Sequence, residues 1–134
     1  WPTFDADVWG GNYSNHYGNG PVTKVSVAAG ASDHAMLKSV DVDTMTSKGS
    51  LYVVRPLAKK ATPILMGAIP DKEPEPIAWT NIRKNGGKSF YTSLGYIGNF
   101  EQPAFVQFLA NAVHWAVGLP TPANIKNPTS TVKE

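Results

Sequence analysis

Cysteine is absent from the 134 residues of this chain, so the sequence excludes a disulfide framework, a thiolate metal cage and a cysteine nucleophile. Its apolar runs fall well short of the roughly 18 residues that a membrane-spanning helix needs. The formal net charge is only +2, and the basic residues are scattered along the chain rather than clustered. The sequence therefore predicts neither a membrane span nor a nucleic-acid-binding surface.

The composition of the chain predicts a single folded domain. Hydrophobic residues make up 42% of the chain and charged residues 16%, a balance that is typical of globular proteins rather than disordered ones. The 12 glycines and 11 prolines predict a large share of loops and turns. The sequence begins at Trp1 with neither a methionine nor a signal-peptide pattern, and we expect that an upstream segment has been removed.

Short β-prone runs predict five strands. The last two are separated by a five-residue connection that contains Asn85-Gly86, which favours a tight antiparallel hairpin. The third run is apolar at both alternating positions, so we expect it to be buried on both faces of a sheet. The predicted strands are residues 22–28, 51–57, 62–69, 77–82 and 88–94.

A helix over residues 103–117 is the clearest predicted element. Its apolar residues recur at helical spacing. Pro103 suits a first helical turn, and Gly118 suits the position just after a helix. Residues 119–134 contain three prolines and few apolar groups, and we interpret them as a tail or linker.

The first 20 residues combine aromatic rings, amides and glycines with few aliphatic side chains. Trp9, Asn12 and Tyr13 lie in this stretch. Aromatic rings pack on the C–H faces of pyranose sugars, and amides pair with hydroxyl groups. The three residues are therefore candidates for binding a sugar, the alternative being that the rings only anchor a glycine-rich loop to the core.

His16 and His34 lie in predicted loops and are the candidate catalytic residues. An imidazole in a loop can face a cleft as an acid, a base or a metal ligand, the alternative being that each histidine only fixes its loop. No HExxH or similar spacing is present, so no metal site is assigned, and a zinc site would need ligands from separate loops. Ser93 follows a predicted strand, but without a GxSxG elbow a serine-hydrolase triad is not expected.

Several segments together resemble the ThuA-like family, the trehalose-utilisation type within the class I glutamine amidotransferase-like superfamily. The resemblance implies an α/β fold, a flavodoxin-like three-layer sandwich. It extends from Trp1 to Gly118, so residues 1–118 are assigned to the family domain. The matching segments are VWGGNYSNH, SDHAMLKSV, GSLYVVRPL, EPIAWTNIRKNGGKSFYTSLGY and PAFVQFLANAVHWAVG.

The resemblance covers about the C-terminal half of the family domain. It implies that the first parallel strands, their helices and the nucleophile-elbow position belong to another segment. We therefore expect an N-terminal half, either preceding this sequence or as a separate chain, that completes the sandwich.

One position departs from the family pattern. The family commonly has histidine after the YTSLG motif, whereas this chain has Tyr96. A phenol is a poor general base near neutral pH, so nucleophile activation of the amidotransferase kind is not expected here. Tyr96 can still donate a hydrogen bond or stack on a ligand, while His16 and His34 match histidines of the family.

The resemblance implies a protein of carbohydrate metabolism that binds or processes a disaccharide or keto-sugar in a loop-lined pocket at the strand ends. Two alternatives stay open: a non-catalytic carbohydrate-binding or interaction module, and a divalent-metal protein with zinc at His16 and His34. Whether the chain is an enzyme, and whether it forms a homo-oligomer, is left open. The composition fits the cytoplasm and an extracytoplasmic bacterial location alike, and we favour the latter.

Overall fold

The computed structural model describes residues 1–125, which form a five-stranded sheet, a two-stranded ribbon, one long helix and four short helical turns. The turns lie at Asp5–Trp9, Ala35–Leu37, Val42–Thr44 and Ile97–Asn99. Among these residues no helix is long and apolar enough to cross a membrane. The strands and the long helix are β1 Asn15–His16, β2 Thr23–Val27, β3 Thr46–Ser47, β4 Tyr52–Val53, β5 Ala61–Ala68, β6 Glu75–Ile82, β7 Lys88–Thr92 and α1 Pro103–Val117.

The large sheet has the strand order β3-β2-β5-β6-β7, and every neighbouring pair is antiparallel. Strands β1 and β4 form the separate ribbon, which is also antiparallel. The fold class is thus mixed α and β. A flavodoxin-like sandwich is built on a parallel sheet with helices on both faces, and residues 1–125 contain no parallel strand pair.

Strands β5, β6 and β7 follow the sequence prediction closely. Strands β6 and β7 form the predicted hairpin, and Gly86 takes a φ of 80° in the connection between them. This left-handed conformation is the one that glycine adopts without steric cost. In β5 the consecutive residues Ile64 and Leu65 are both fully buried and belong to the same hydrophobic core, at the point where the register with β6 shifts.

The predicted strand over residues 51–57 is much shorter in the structure, where β4 contains only Tyr52 and Val53. The cause is a buried carboxylate. The backbone amides of Val54 and Arg55 donate to the side chain of Glu75, at 3.2 and 3.3 Å, so they are not available to a strand ladder.

Helix α1 packs on one face of the sheet through the predicted apolar side, with Phe105, Phe108 and Ala112 fully buried. Phe108 meets the β7 residue Phe90 edge to face, with ring centroids 5.7 Å apart. The helix also buries Asn111, whose amide donates to the carbonyls of Met36 and Lys38 at 3.0 and 2.8 Å. These hydrogen bonds attach the Ala35–Leu37 turn to the helix. The periodicity of apolar residues could not predict them.

The N-terminal turn Asp5–Trp9 covers the opposite face of the sheet. Successive side chains of a strand point to opposite faces, and Tyr91 follows Phe90 on β7. Tyr91 stacks on Trp79 with centroids 4.2 Å apart. The Trp79 indole nitrogen donates to the carbonyl of Trp9 at 2.7 Å, and the Asn81 amide donates to the carbonyl of Val8 at 3.1 Å.

The predicted tail is described as far as Ile125. Beyond α1 this segment has no helix or strand up to that residue, and it lies along the helix: the Ile125 amide donates to the side-chain oxygen of Gln107 at 2.7 Å. The remainder of the tail prediction, residues 126–134, lies outside the described residues.

Candidate functional site

An open cleft of about 650 Å³ lies between the β1–β4 ribbon and the loop that follows β7. We call it the ribbon cleft. Its volume falls in the range of small-molecule sites in proteins. Three chain segments that are distant in sequence contribute its walls. The lining residues are Tyr13, His16, Asn19, Gly49, Ser50, Tyr52, Ser93, Gly95 and Tyr96.

The ribbon determines which side chains meet at the cleft. Its antiparallel register places His16 opposite Tyr52. The ribbon is extended at both ends, because the Ser14 amide donates to the Val53 carbonyl at 3.0 Å and the Tyr17 amide donates to the Leu51 carbonyl at 2.9 Å. Side chains directly opposite each other on an antiparallel pair lie close enough to interact.

The resulting cluster contains two phenols and an imidazole. The hydroxyl of Tyr13 and Nδ1 of His16 share a hydrogen bond of 2.5 Å. The Tyr13 ring is nearly parallel to the His16 ring, with centroids 6.1 Å apart, and meets Tyr52 edge to face at 5.0 Å. When the Tyr13 hydroxyl donates to Nδ1, the proton of the neutral imidazole resides on Nε2, the nitrogen that this bond leaves free.

The opposite wall carries hydroxyl groups and one exposed ring. Ser93 is half-buried and Tyr96 is 47% exposed. At the edge of the cleft the Ser50 hydroxyl donates to the side-chain oxygen of Asn19 at 2.5 Å. The cleft therefore offers aromatic surface together with hydroxyl and amide groups, without a lining Asp or Glu among the described residues.

The loop that carries Tyr96 is held in place by Asn99, which is 1% exposed. Its side-chain oxygen accepts hydrogen bonds from the Gly95 amide and the Ser47 hydroxyl, each 3.2 Å long. Its amide nitrogen donates to the carbonyl of Thr46 at 2.8 Å. Tyr96 is thus positioned against the edge strand β3 by a buried residue that the sequence did not single out.

The structure brings four of the seven predicted site residues together. Tyr13, His16, Ser93 and Tyr96 all line the ribbon cleft. Tyr52, which was not among the predicted site residues, completes the aromatic cluster; its only sequence signal was its place in the β-prone LYVV run.

The other three predicted site residues lie away from the cleft lining. Trp9 packs on the sheet, with its ring edge to face against Tyr91 at 6.1 Å. Asn12 is exposed to solvent. His34 precedes the Ala35–Leu37 turn, where its Nδ1 accepts a hydrogen bond from the Met36 amide at 3.2 Å and its ring lies 5.7 Å from Trp115.

His34 is half-buried, and desolvation by burial lowers its pKa below the ordinary histidine value of 6.5. A lowered pKa favours the neutral imidazole, the form whose Nδ1 can accept the Met36 amide proton. The geometry of His34 is therefore that of a residue capping a helical turn.

A joint zinc site at His16 and His34 does not fit this arrangement. The two histidines have different neighbours, and within residues 1–125 no group of three His, Asp or Glu side chains lies close enough to hold a metal ion. Protein zinc sites need at least three such ligands.

Comparison with known families matches residues 1–116 to the ThuA family, described as trehalose utilisation. This match covers most of the chain. The protein belongs to the ThuA family. Neither a curated protein nor a solved structure matched the chain. Membership relates this ThuA-family chain to carbohydrate utilisation.

Proposed function

We propose that this ThuA-family protein binds a saccharide in the ribbon cleft as part of carbohydrate utilisation. The observation that supports the proposal is the cluster of Tyr13, His16 and Tyr52 facing the exposed ring of Tyr96 in one open cleft. Aromatic rings present apolar faces that match the C–H faces of a pyranose. A keto-sugar and a disaccharide are both compatible with this arrangement.

Polar groups around the rings would orient the sugar. The lining residues Asn19, Ser50 and Ser93 supply amide and hydroxyl groups that both donate and accept hydrogen bonds. A sugar hydroxyl has the same dual character, so these residues can pair with it without leaving a buried polar group unsatisfied.

If the protein is catalytic, His16 is the residue we propose as acid or base. It is the lining side chain best suited to proton transfer, and the Tyr13 hydroxyl holds its Nδ1. Glycoside hydrolysis usually needs two carboxylates flanking the bond, and the described residues line the cleft with none. The second candidate function, a non-catalytic saccharide-binding module, is supported by Tyr96, which stands where the family commonly has a histidine.

A second part of the proposal concerns how the family domain is completed. We propose that residues 1–118 belong to a flavodoxin-like, amidotransferase-like domain whose parallel strands are supplied by another segment or chain. The support is the family resemblance. Because all strand pairs within residues 1–125 are antiparallel, the parallel strands of such a domain would have to come from that other part. The intact mass of the native protein tests this: a stable monomer with the mass of these 134 residues would contradict it.

Calorimetric titration with a panel of monosaccharides, keto-sugars and disaccharides tests saccharide binding. We expect Tyr52→Ala to weaken binding by about three- to tenfold, because it removes a ring from the cluster. His34→Asn is the matched control: it retains a cap for the turn, lies outside the cleft and should bind like wild type. Equal losses in both variants, or no binding by wild type, would contradict the proposal.

His16→Ala separates the two candidate functions. A binding module should lose at most about tenfold in affinity. An enzyme that uses His16 for proton transfer should lose at least about 100-fold in turnover while its affinity changes little.

A further inference from the structure

The two edges of the large sheet differ in how their backbone groups are paired. At one edge, side chains close strand β3. The Gln102 side-chain oxygen accepts from the Thr46 amide at 3.0 Å, and the side-chain nitrogens of Asn99 and Gln102 each donate to the Thr46 carbonyl at 2.8 Å. At the other edge, β7 pairs with β6 and with no further strand among residues 1–125. An open edge of this kind can pair with an added strand.

Backbone groups of Phe90 and Thr92 point out of the sheet at this open edge. The Ser93 amide donates to the Ile77 carbonyl at 3.0 Å. In an antiparallel pair, residues that exchange hydrogen bonds alternate with residues that do not. Tyr91 therefore bonds to β6, whereas the amides and carbonyls of Phe90 and Thr92 point away from it.

Helix α1 has a second apolar side, which the sheet leaves uncovered. Its 15 residues contain no Asp, Glu, Lys or Arg, although a surface helix usually carries such residues on its outer face. Val106, Val113 and Val117 recur at helical spacing and share one side of the helix. Val113 is 61% exposed and Val117 is 64% exposed. We call this side of α1, defined by the three valines, the valine side.

The valine side overhangs the open edge of β7. The helix lies along β7, because Phe108 contacts Phe90 and the Lys88 ammonium donates to the Trp115 carbonyl at 3.2 Å. A different side of the helix carries Asn111, which bonds to the helical turn that follows β2, on the far side of β5 and β6. At about 3.6 residues per turn the valines lie roughly opposite Asn111, so they face outward past β7.

The first residue of the sequence lies near the same edge of the sheet. Trp1 lines a small depression together with Arg83 and Lys84, which belong to the connection between β6 and β7. A segment joined to Trp1 would therefore approach the sheet beside the start of β7. The closed edge at β3 lies across the full width of the sheet from this point.

From these observations we infer that the open edge of β7 and the valine side of α1 form one docking surface for the N-terminal half of the family domain. A strand of that half adds to β7 through the backbone groups of Phe90 and Thr92. An apolar helix of the same half covers Val113 and Val117. One unit of a strand and a helix meets both requirements, because such units bury their apolar faces together. The inference rests on the proposed completion of the domain.

Residue-resolved amide hydrogen exchange of the native protein tests the pairing at β7. After correction for intrinsic rates, we expect the amides of Phe90 and Thr92 to exchange within about tenfold of the Tyr91 amide, which bonds to β6. Exchange at Phe90 and Thr92 at least about 100-fold faster than at Tyr91 would show an uncovered edge and overturn the inference.

Photo-crosslinking in the native host identifies the occupant. The protein is expressed from its complete gene with p-benzoylphenylalanine in place of Val113. The matched control carries the same group in place of Val22, which is 44% exposed and precedes β2, two strands away from β7. We expect position 113 to link to a peptide upstream of Trp1, or to a separate chain that co-purifies in a one-to-one ratio. Position 22 should give no such product.

Each other outcome contradicts the docking surface. A link between two copies of this chain would assign the valine side to a homodimer, and absence of the expected product, or equal products at both positions, would leave no occupant specific to this side. The intact mass separates this failure from that of the completed domain. A stable monomer of these 134 residues alone refutes both, whereas a larger protein that links elsewhere refutes only the docking surface. Saccharide titration is independent of either result.

Discussion

Individual side chains of the cleft differ in how far local sequence could identify them. Tyr13 and His16 lie in a short stretch rich in rings and amides, so their residue types alone marked them as candidates. His34 likewise lies in a predicted loop, yet it caps a helical turn, and its ring lies against Trp115. Local composition cannot separate these outcomes, because they depend on which distant element packs against each loop.

The protonation of His34 gives a prediction at this scale. Burial lowers its pKa in the folded state below the ordinary value of 6.5, so the unfolded chain takes up the proton at a higher pH. The stability that neutral His34 contributes is therefore complete above about pH 6.5 and decreases as the pH falls towards the lowered pKa. His34→Asn retains an acceptor for the Met36 amide and does not titrate.

Urea denaturation at pH 7.5 and pH 5.5 tests the direction of this pH dependence of stability. Wild type should lose more free energy of unfolding than His34→Asn over this interval. Identical pH dependence of the two proteins would show that burial of His34 is not linked to stability.

At the scale of elements, the short strand β4 depends on Glu75. This carboxylate is 1% exposed and accepts hydrogen bonds from the Val54 and Arg55 amides. It also forms an ion pair with the Arg55 guanidinium at 3.1 Å, and that bond raises the pKa of Arg55. Glu75 thereby fixes the chain just after Tyr52, one of the cleft rings.

Removal of the Glu75 carboxylate should destabilise the folded state. We expect Glu75→Ala to lower the free energy of unfolding by about 3 kcal/mol, because it leaves the buried Val54 amide without a partner and a cavity beside it. The exposed neighbour Glu73 is the matched control, and Glu73→Ala should stay within about 0.5 kcal/mol of wild type. Similar values for the two variants in chemical denaturation would contradict the role of Glu75.

The elements that sequence predicted best are those whose signals are local. The α1 helix follows from the spacing of Phe105, Phe108 and Ala112, and the β6–β7 hairpin follows from its Asn-Gly connection. The ribbon was not predictable, because strands of two residues carry no periodicity and β1 and β4 are far apart in sequence. The ribbon places Tyr52 beside His16. Tyr52 could therefore not be predicted as a site residue, because the ribbon itself could not be predicted.

At the scale of the whole molecule, one wall of the cleft continues directly from the antiparallel sheet. The Ser93 amide donates to the Ile77 carbonyl at 3.0 Å, so the loop with Tyr96 begins directly from the β6–β7 hairpin. Family resemblance identified this loop, and the structure shows the ribbon that faces it. The chemistry of the site is therefore assembled from three segments that only tertiary packing brings together.

The location of saccharide binding is the central claim, and backbone amide chemical shifts of the ¹⁵N-labelled chain titrated with trehalose, maltose and glucose test it most directly. The account predicts saturable shifts concentrated at Tyr13, His16, Tyr52 and Tyr96, with little change around Trp9 and His34. Shifts centred on Trp9 or His34, or no shift with any of these sugars at saturating concentration, would contradict it.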